Sequence, residues 1–535
     1  MNDDIAYRSS RVRTYTPENW AINPDQPTIS TLFETAAETF PNVEALVDPR
    51  SRLTYGQWWR AARGLAGELA DRGVRAGDIV AIALPSSANY AVCYAAIACA
   101  GAIATGLNPR LGSRELEHIL TIAQPAAVIA TEDVLAKSSA WGKAAIILEH
   151  DLDQLCAQEP AHPLAVDPDA PAVIVWTSGT TGFPKGAWFS NTALRGSALG
   201  ADDIVKPFDR RFAPLSFVHA AFMTKVWEVV ASGTTLVIPP TPWRAPDTLD
   251  LLESERITFA QGVPAQWEKV TSLPDVEQRD LSALRLVVTS TAPASPELVR
   301  RMIRTLGCAV YVRFASTESG PATGTSVDDA VEVVSTTLGG PLPGAEIRIV
   351  DENGQVVACD VVGNIEVRHP GGMLGYWRNK EETEKSRRDD GWVRTGDLGH
   401  IRRDGNLVID GRASDMYIRG GYNVYPREVE LELQTYPSVA AAAVVGVSAD
   451  VIGEIGVAFV VPEEGAELDL DELRGYLTGR IADYKRPDAL LLVSELPLTA
   501  YMKVDKRRLR ALAEEHLRSE RRRERPHAMH KGVNG

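Results

Sequence analysis

The chain has 535 residues, 44% hydrophobic and 24% charged, with a formal net charge of −15 at pH 7. That length exceeds what a single hydrophobic core organises, so two or more domains are expected. The acidic balance argues against nucleic acid as a partner.

Five cysteines, Cys93, Cys99, Cys156, Cys308 and Cys359, are scattered without a Cys-x-x-Cys pair. Neither a structural zinc site nor a disulfide framework is indicated, and reduced thiols in a cytoplasmic protein are expected. The start, Met1-Asn2-Asp3-Asp4, has no basic, apolar leader pattern, so no signal peptide is expected.

In chain order, Asp78–Leu84 reads as a strand closed by Pro85, followed by helical character through Ala100. The most apolar long run, Tyr90 to Leu107, is rich in alanine and reads as a buried core helix rather than a membrane span. Ala126–Ala130 and Ala145–Leu148 read as further short strands. Strands alternating with helices predict an α/β architecture with parallel sheets.

The apolar run Ala172-Val173-Ile174-Val175-Trp176 reads as another buried strand. It leads into Thr177-Ser178-Gly179-Thr180-Thr181-Gly182-Phe183-Pro184-Lys185-Gly186. Glycines there let the backbone come close to an anion, hydroxyls donate hydrogen bonds, and Lys185 adds charge, which together suit a nucleotide polyphosphate. The P-loop order Gly-Lys-Ser/Thr is absent, because Pro184 precedes Lys185 and Gly186 follows it. The string resembles the phosphate loop of the adenylate-forming superfamily, which includes acyl-CoA synthetases, luciferases and peptide-synthetase adenylation domains.

The resemblance extends from about Thr31 to Arg510. Pro214-Leu215-Ser216-Phe217-Val218-His219 is similar to the family segment beside the acyl pocket, which implies a substrate-gating role for His219. In Phe222-Met223-Thr224-Lys225 the second place is Met223, where peptide-synthetase domains carry an aspartate that pairs with an α-ammonium group. A thioether cannot be that counter-charge, so an α-amino acid is disfavoured. Met223 at a pocket wall, with His219 and Phe222, implies a largely apolar pocket for an apolar or aromatic acid.

Further motifs follow in family order. Thr289-Ser290-Thr291-Ala292-Pro293 implies contact of Thr291, Ala292 and Pro293 with adenine and the acyl group. Phe314-Ala315-Ser316-Thr317-Glu318 resembles Tyr-Gly-x-Thr-Glu, which implies adenine stacking on Phe314, a phosphate contact from Thr317 and Mg²⁺ on Glu318. Thr395-Gly396-Asp397 and Asp410-Gly411-Arg412 resemble the ribose-binding pair, with Asp397 accepting from the ribose hydroxyls and Arg412 reaching ribose or phosphate. Ser414 stands at the family's hinge position.

Gly420-Gly421-Tyr422-Asn423-Val424-Tyr425-Pro426 resembles the loop that lines the pantetheine tunnel of acyl-CoA synthetases, with Tyr422 in place of a common Glu. Leu496-Pro497-Leu498-Thr499-Ala500-Tyr501-Met502-Lys503-Val504 resembles the motif of the catalytic lysine, which implies that role for Lys503. Met502 replaces a glycine there.

The resemblance thus implies a large N-terminal domain, 1–412, with layered, mostly parallel sheets and helices, and a small mobile α+β domain, 413–535. Within the latter, Val439–Val447 and Val457–Val461 read as strands and Leu468–Ile481 as a helix. The basic stretch from Arg518 reads as a solvated helix end running into a disordered terminus. The implied activity is acyl-adenylate formation from a small-molecule carboxylic acid and ATP with Mg²⁺, then transfer to CoA. The cofactor-binding residues are Thr177, Ser178, Gly179, Thr180, Thr181, Gly182, Lys185, Thr291, Ala292, Pro293, Phe314, Ala315, Ser316, Asp397, Arg412, Gly420 and Gly421; the catalytic ones are Lys503, Thr317, Glu318 and His219. The alternative is an acyl-adenylate ligase whose acceptor is a carrier-protein thiol or an amine.

Overall fold

A computed structural model describes residues 7–8, 20–178, 183–201, 204–290, 294–449, 452–463, 465–499 and 504–524. These fall into two compact units, one within 1–360, 365–395 and 401–408, the other within 361–364, 396–400 and 409–535.

In the larger unit, two parallel-rich sheets carry the architecture. The first has seven strands. Its parallel part consists of Ile79–Ala83, Ile103–Gly106, Ala127–Ala130, Ala145–Leu148 and Pro171–Ser178. Pro184–Ser190 then pairs antiparallel with Pro171–Ser178, and Gly375–Tyr376 adds to the edge. The second sheet has nine strands and includes Arg210–Phe212, Thr235–Val237, Phe259–Gly262, Leu286–Thr289 and Ala309–Ser316, all parallel along one path. Continuous apolar runs form strands such as Ile79–Ala83, Ala127–Ala130 and Leu286–Thr289 because both sheet faces are covered.

The expected strands at 78–84, 126–130, 145–148 and 172–176 are present. The run from Tyr90 to Leu107 is not one helix. It divides into helix Ala88–Cys99 and strand Ile103–Gly106, with Gly101 at φ +63° making the turn between them. Its apolar character is uniform because both parts are buried, and uniform burial erases the period that would have separated them. Helix Tyr55–Asp71 packs beside it, and Trp58 and Trp59 meet Phe33 at ring-centroid distances of 4.6 and 5.5 Å.

The smaller unit is built on the antiparallel pair Val439–Ala449 and Gly453–Pro462, to which Ala489–Leu492 adds in parallel. Alternation along the first strand sorts its two faces. Ala442 and Val444 pack with Val429 and Leu433 of helix Pro426–Leu433, while Ala443, Val445 and Val447 pack with Leu509 and Ala513 of helix Lys506–Glu524. The helix expected over 468–481 spans only Leu470–Leu477. Asp469 caps its start by accepting from the Glu472 amide at 2.8 Å, and its end passes into extended Thr478 and then Gly479 at φ +78°. Among the described residues, no helix is long and apolar enough to cross a membrane.

One glycine fixes how the hairpin of the first sheet closes. Gly186 lies opposite Trp176, and a Cβ there would meet Ile174 Cγ2 at 2.8 Å and the Trp176 ring at 3.2 Å. Gly186→Val is expected to destabilise the protein by about 1–3 kcal/mol through overpacking. The check is the urea midpoint of the first unfolding transition; an unchanged midpoint would contradict this packing.

Candidate functional site

The hairpin from Pro171–Ser178 to Pro184–Ser190 presents its connecting loop at the end of a buried strand. Gly179, Thr180, Thr181 and Gly182 lie outside the described residues, as does the side chain of Ser178. The flanks are clear. Thr177 is opposite Lys185 in register, and its hydroxyl donates to the Lys185 carbonyl at 3.5 Å.

The Lys185 ammonium, largely buried, is ion-paired with Glu382 and lies 5.4 Å from the centroid of the Tyr376 ring. The Tyr376 hydroxyl donates to Glu318 Oε1 at 2.9 Å. Thr177 is also a hydrogen-bond partner of Tyr376. Burial, reinforced by the Glu318 carboxylate, pushes the Tyr376 phenol far above its ordinary range, so it stays a hydrogen-bond donor. Lys185, with a further contribution from Lys385, holds the Glu382 carboxyl below its ordinary range. Tyr376 thus joins the phosphate-loop flank to Glu318, two segments more than a hundred residues apart in sequence.

Glu318 follows strand Ala309–Ser316, whose pairing with Gly320–Gly324 shifts register between Phe314 and Ala315. Ala315 stands at that irregularity. Ser316 turns the chain by accepting from the Ser319 amide at 2.9 Å. Phe314, Ser316, Thr317 and Glu318 are half-buried, and Ala315 is exposed. Among the described residues, no group of three or more His, Cys, Asp or Glu side chains could hold a metal. Glu318 offers a single carboxylate, a donor set that suits a hard cation completed by phosphate oxygens and water. Thr291, Ala292 and Pro293 lie outside the described residues.

His219 sits at the start of helix Ala220–Met223, where its carbonyl accepts from the Phe222 and Met223 amides. Nearby is a small cavity of about 10 Å³, room for about one water, whose lining includes Phe217, Phe222, Leu236, Arg211, Lys225 and Gln261. Phe217 and Phe222 stack at 3.9 Å with an interplanar angle of 5°. The expected apolar wall with Met223 is therefore corrected. Met223 is fully buried behind it, its sulfur accepting from the Tyr90 hydroxyl at 3.1 Å and its carbonyl from Tyr94 at 2.9 Å. Lys225, three residues on from Phe222, returns to the pocket side that Met223 leaves, so the lining is part aromatic and part cationic.

In the smaller unit, Arg412 Nε donates to Asp397 Oδ1 at 2.9 Å; Asp397 is buried, whereas the Arg412 side chain is more than half exposed. Gly420 and Gly421, with φ of +58° and +84°, form the two-residue turn between Tyr417–Arg419 and Tyr422–Val424. Two successive positive φ values are what such a hairpin turn demands of glycine. Tyr422 is exposed and stacks on Tyr484 at 4.5 Å. The Ser414 hydroxyl donates to the neighbouring Asp415 carboxylate at 3.4 Å. Lys503 lies outside the described residues; Leu498 and Val504 form an antiparallel bridge ahead of helix Lys506–Glu524.

Tyr376 and Glu382 are functional candidates that sequence reasoning missed. Asn379, which caps helix Lys380–Ser386 by accepting from the Glu382 amide at 3.1 Å, is a legible helix-start signal. No local pattern, however, announces a pairing with Lys185 across 197 residues.

Residues 33–377 match the AMP-binding enzyme family and residues 428–503 match the AMP-binding enzyme C-terminal domain. The indoleacetate–CoA ligase of Aromatoleum aromaticum is 34% identical over 88% of this chain and 95% of its own length. The 3-[(3aS,4S,7aS)-7a-methyl-1,5-dioxo-octahydro-1H-inden-4-yl]propanoyl:CoA ligase of Rhodococcus jostii is 32% identical over 91% of this chain and 99% of its own. Among solved structures, ATP-bound MatB from Rhodopseudomonas palustris superposes with a TM-score of 0.84 at 29% identity, over 91% of this chain and 99% of that one. The chain belongs to the AMP-binding enzyme family, within the adenylate-forming superfamily.

The Tyr376 bridge has a direct test. Tyr376→Phe is expected to lower stability by about 1 kcal/mol, the net worth of one hydrogen bond, and to weaken ATP binding by loosening Glu318. Urea unfolding and calorimetric titration with ATP check both. Unchanged stability together with unchanged ATP affinity would contradict the bridge.

Proposed function

We propose that the protein is an AMP-forming acyl-CoA ligase. A carboxylate attacks the α-phosphorus of ATP to give acyl-adenylate and pyrophosphate. The thiol of CoA then attacks the acyl carbon, giving the thioester and AMP. The observation that carries this reading is the cluster of Thr177, Lys185, Tyr376 and Glu318, which gathers one cation, two hydroxyls and one carboxylate at the end of the phosphate-loop hairpin.

Chemistry at phosphorus depends on alignment and on neutralising charge. Thr177 and Lys185 serve the β- and γ-phosphates, the lysine exchanging Glu382 for phosphate oxygens. Glu318 would hold Mg²⁺, which supplies charge neutralisation when bound. Thr317 donates to a phosphate oxygen. Asp397, already ordered by Arg412, accepts from the ribose hydroxyls. Lys503 is assigned to the adenylation step, and the Gly420-Gly421 turn to the approach of the CoA thiol.

The acid is not an α-amino acid on this reading, because Met223 supplies no counter-charge and the cationic lining repels an ammonium group. The two curated relatives support a carboxylic acid substrate, and the name of one places two oxo groups on a ring away from its propanoyl end. The five unpaired cysteines support a reducing compartment, the cytoplasm.

The test is pyrophosphate release over a panel of aliphatic, aryl and amino acids, with and without CoA, with products identified by mass. Acyl-CoA is expected from non-amino acids, and Lys503→Ala is expected to lower adenylation by roughly a hundred- to a thousandfold, as loss of one transition-state contact does. Acyl-AMP that ignores CoA would move the acceptor to a carrier-protein thiol or an amine. Intact adenylation in Lys503→Ala would overturn the role of that lysine.

A further inference from the structure

The chain reaches the edge strand Gly375–Tyr376 through the loop His369-Pro370-Gly371-Gly372-Met373. Backbone packs against backbone along this loop. A Cβ on Gly371 would meet Ser197 Cα at 2.4 Å, and one on Gly196 would meet the Pro370 carbonyl carbon at 2.7 Å, so the loop lies against helix Asn191–Leu199. On its other side, a Cβ on Gly320 would meet the Gly371 carbonyl oxygen at 2.8 Å, and one on Gly372 would meet the Ser319 and Glu318 carbonyl oxygens at 3.2 and 3.3 Å. The Met373 amide donates to the Glu318 carbonyl at 2.9 Å. Just beyond, the Leu374 and Trp377 amides donate to the Trp188 and Gly186 carbonyls at 3.0 and 2.6 Å. One loop therefore touches the peptide that carries Glu318 and delivers Tyr376 to the hairpin that carries Lys185.

Gly371 and Gly372 permit these approaches, but they bring no side chain to hold the loop and they raise the entropic cost of ordering it. His369 supplies the anchor. Its ring is buried. Nδ1 accepts from the Gly371 amide at 2.9 Å, and Nε2 lies 3.1 Å from the Pro343 carbonyl. With Nδ1 accepting, the ring proton belongs on Nε2, which donates to Pro343. Pro343 in turn sits in a turn tied to the strand that follows Glu318. The Leu342 amide donates to the carbonyl of Ala322, on strand Gly320–Gly324, at 2.9 Å, and the Ala345 amide closes the turn on the Leu342 carbonyl at 2.8 Å. Burial outweighs the Pro343 carbonyl and, with Lys225 and Arg313 adding to it, takes the His369 pKa down to about 3. The ring stays neutral near pH 7 and keeps both its acceptor and its donor.

We infer that His369 is a positioning residue of the adenylation step: by joining Gly371 to Pro343 it fixes the loop that sets Glu318 and Tyr376 against the phosphate-loop hairpin. It acts through the loop and not on the reacting atoms. The inference rests on the acyl-CoA ligase reading. An apolar side chain of similar size at position 369 leaves the Gly371 amide and the Pro343 carbonyl without the partners they now have, and a buried polar group without a partner is costly. The loop then relaxes, and the Glu318 peptide and the Tyr376 strand move with it. An asparagine keeps the first bond, because its side-chain carbonyl accepts from the amide two residues on, but it is too short to reach Pro343. None of these contacts involves Phe217 or Phe222, so the acid is expected to bind as before.

The experiment compares the wild-type protein with His369→Leu and His369→Asn. Calorimetric titration with ATP, in the absence of any acid, gives the ATP affinity. Pyrophosphate release gives KM and kcat for whichever acid of the panel is turned over fastest, and thermal unfolding gives the melting temperature. His369→Leu is expected to weaken ATP binding by roughly tenfold and to lower kcat, with KM for the acid held within about twofold. His369→Asn is expected to recover most of that loss and to remain roughly threefold weaker than the wild type, for want of the Pro343 bond. A purely structural histidine would lower the melting temperature and leave the ATP affinity of the folded protein unmoved. Unmoved ATP affinity in His369→Leu, or in His369→Asn should the leucine variant fail to fold, would overturn the inference. A loss of ATP affinity matched by an equal rise in KM for the acid would overturn it as well. Both outcomes leave the ligase reading standing. Absence of pyrophosphate release by the wild type with every acid of the panel would overturn that reading and this inference with it.

Discussion

The hydrogen bond from Tyr376 to Glu318 and the ion pair between Lys185 and Glu382 hold together three stretches of chain that otherwise have no local reason to meet. One is the hairpin of the seven-stranded sheet, one the end of a strand of the nine-stranded sheet, and one the edge strand Gly375–Tyr376 with the helix that follows. Each charge would be unfavourable in its half-buried place alone. Lys185 is satisfied by Glu382, and Glu318 by a phenol whose proton burial keeps in place. Under the function proposed above, phosphate oxygens of ATP would replace Glu382 as the partner of Lys185. Charge-assisted hydrogen bonds to phosphate oxygens are the exchange that favours such a displacement.

The sheets give this cluster its rigidity. Parallel pairing fixes the strands that end at Thr177 and just before Glu318, the antiparallel partner of the first carries Lys185, and ligands of α/β sheets characteristically bind at the ends of strands. The smaller unit follows the same economy on an antiparallel frame. The Gly420-Gly421 turn is exposed and free of steric contact, whereas Gly446 and Gly456 lie against the buried Tyr417 ring. Exposed turn and close packing are thereby assigned to different glycines.

Much of the fold was readable because hydrophobic runs bounded by turn residues mark buried strands. The strand Pro171–Ser178 and its Gly- and Thr-rich exit are the clearest case. The division of Tyr90–Leu107 into a helix and a strand was not readable, since burial on all sides removes any period. Motif order led to Lys185, Glu318, Asp397 and Arg412, and the structure brings the first two to one cluster and joins the last two directly. Tyr376 and Glu382 escaped because their partners are distant in sequence. The pocket's polarity escaped because the direction taken by Met223 and Lys225 depends on how one short helix ends. Arg211 and Glu228, read singly, are charges in apolar segments; only their 2.8 Å contact shows that they are buried as a pair.

The central claim is that Lys185 and Glu318 act on one triphosphate as a unit. A double-mutant cycle tests it most directly, with kcat/KM for pyrophosphate release measured in Lys185→Ala, Glu318→Gln and the double variant. Residues that act together lose most of their effect at the first substitution. The account predicts that the double variant is far less impaired than the product of the single effects, with a coupling energy of about 1 kcal/mol or more. Strictly multiplicative effects would contradict it.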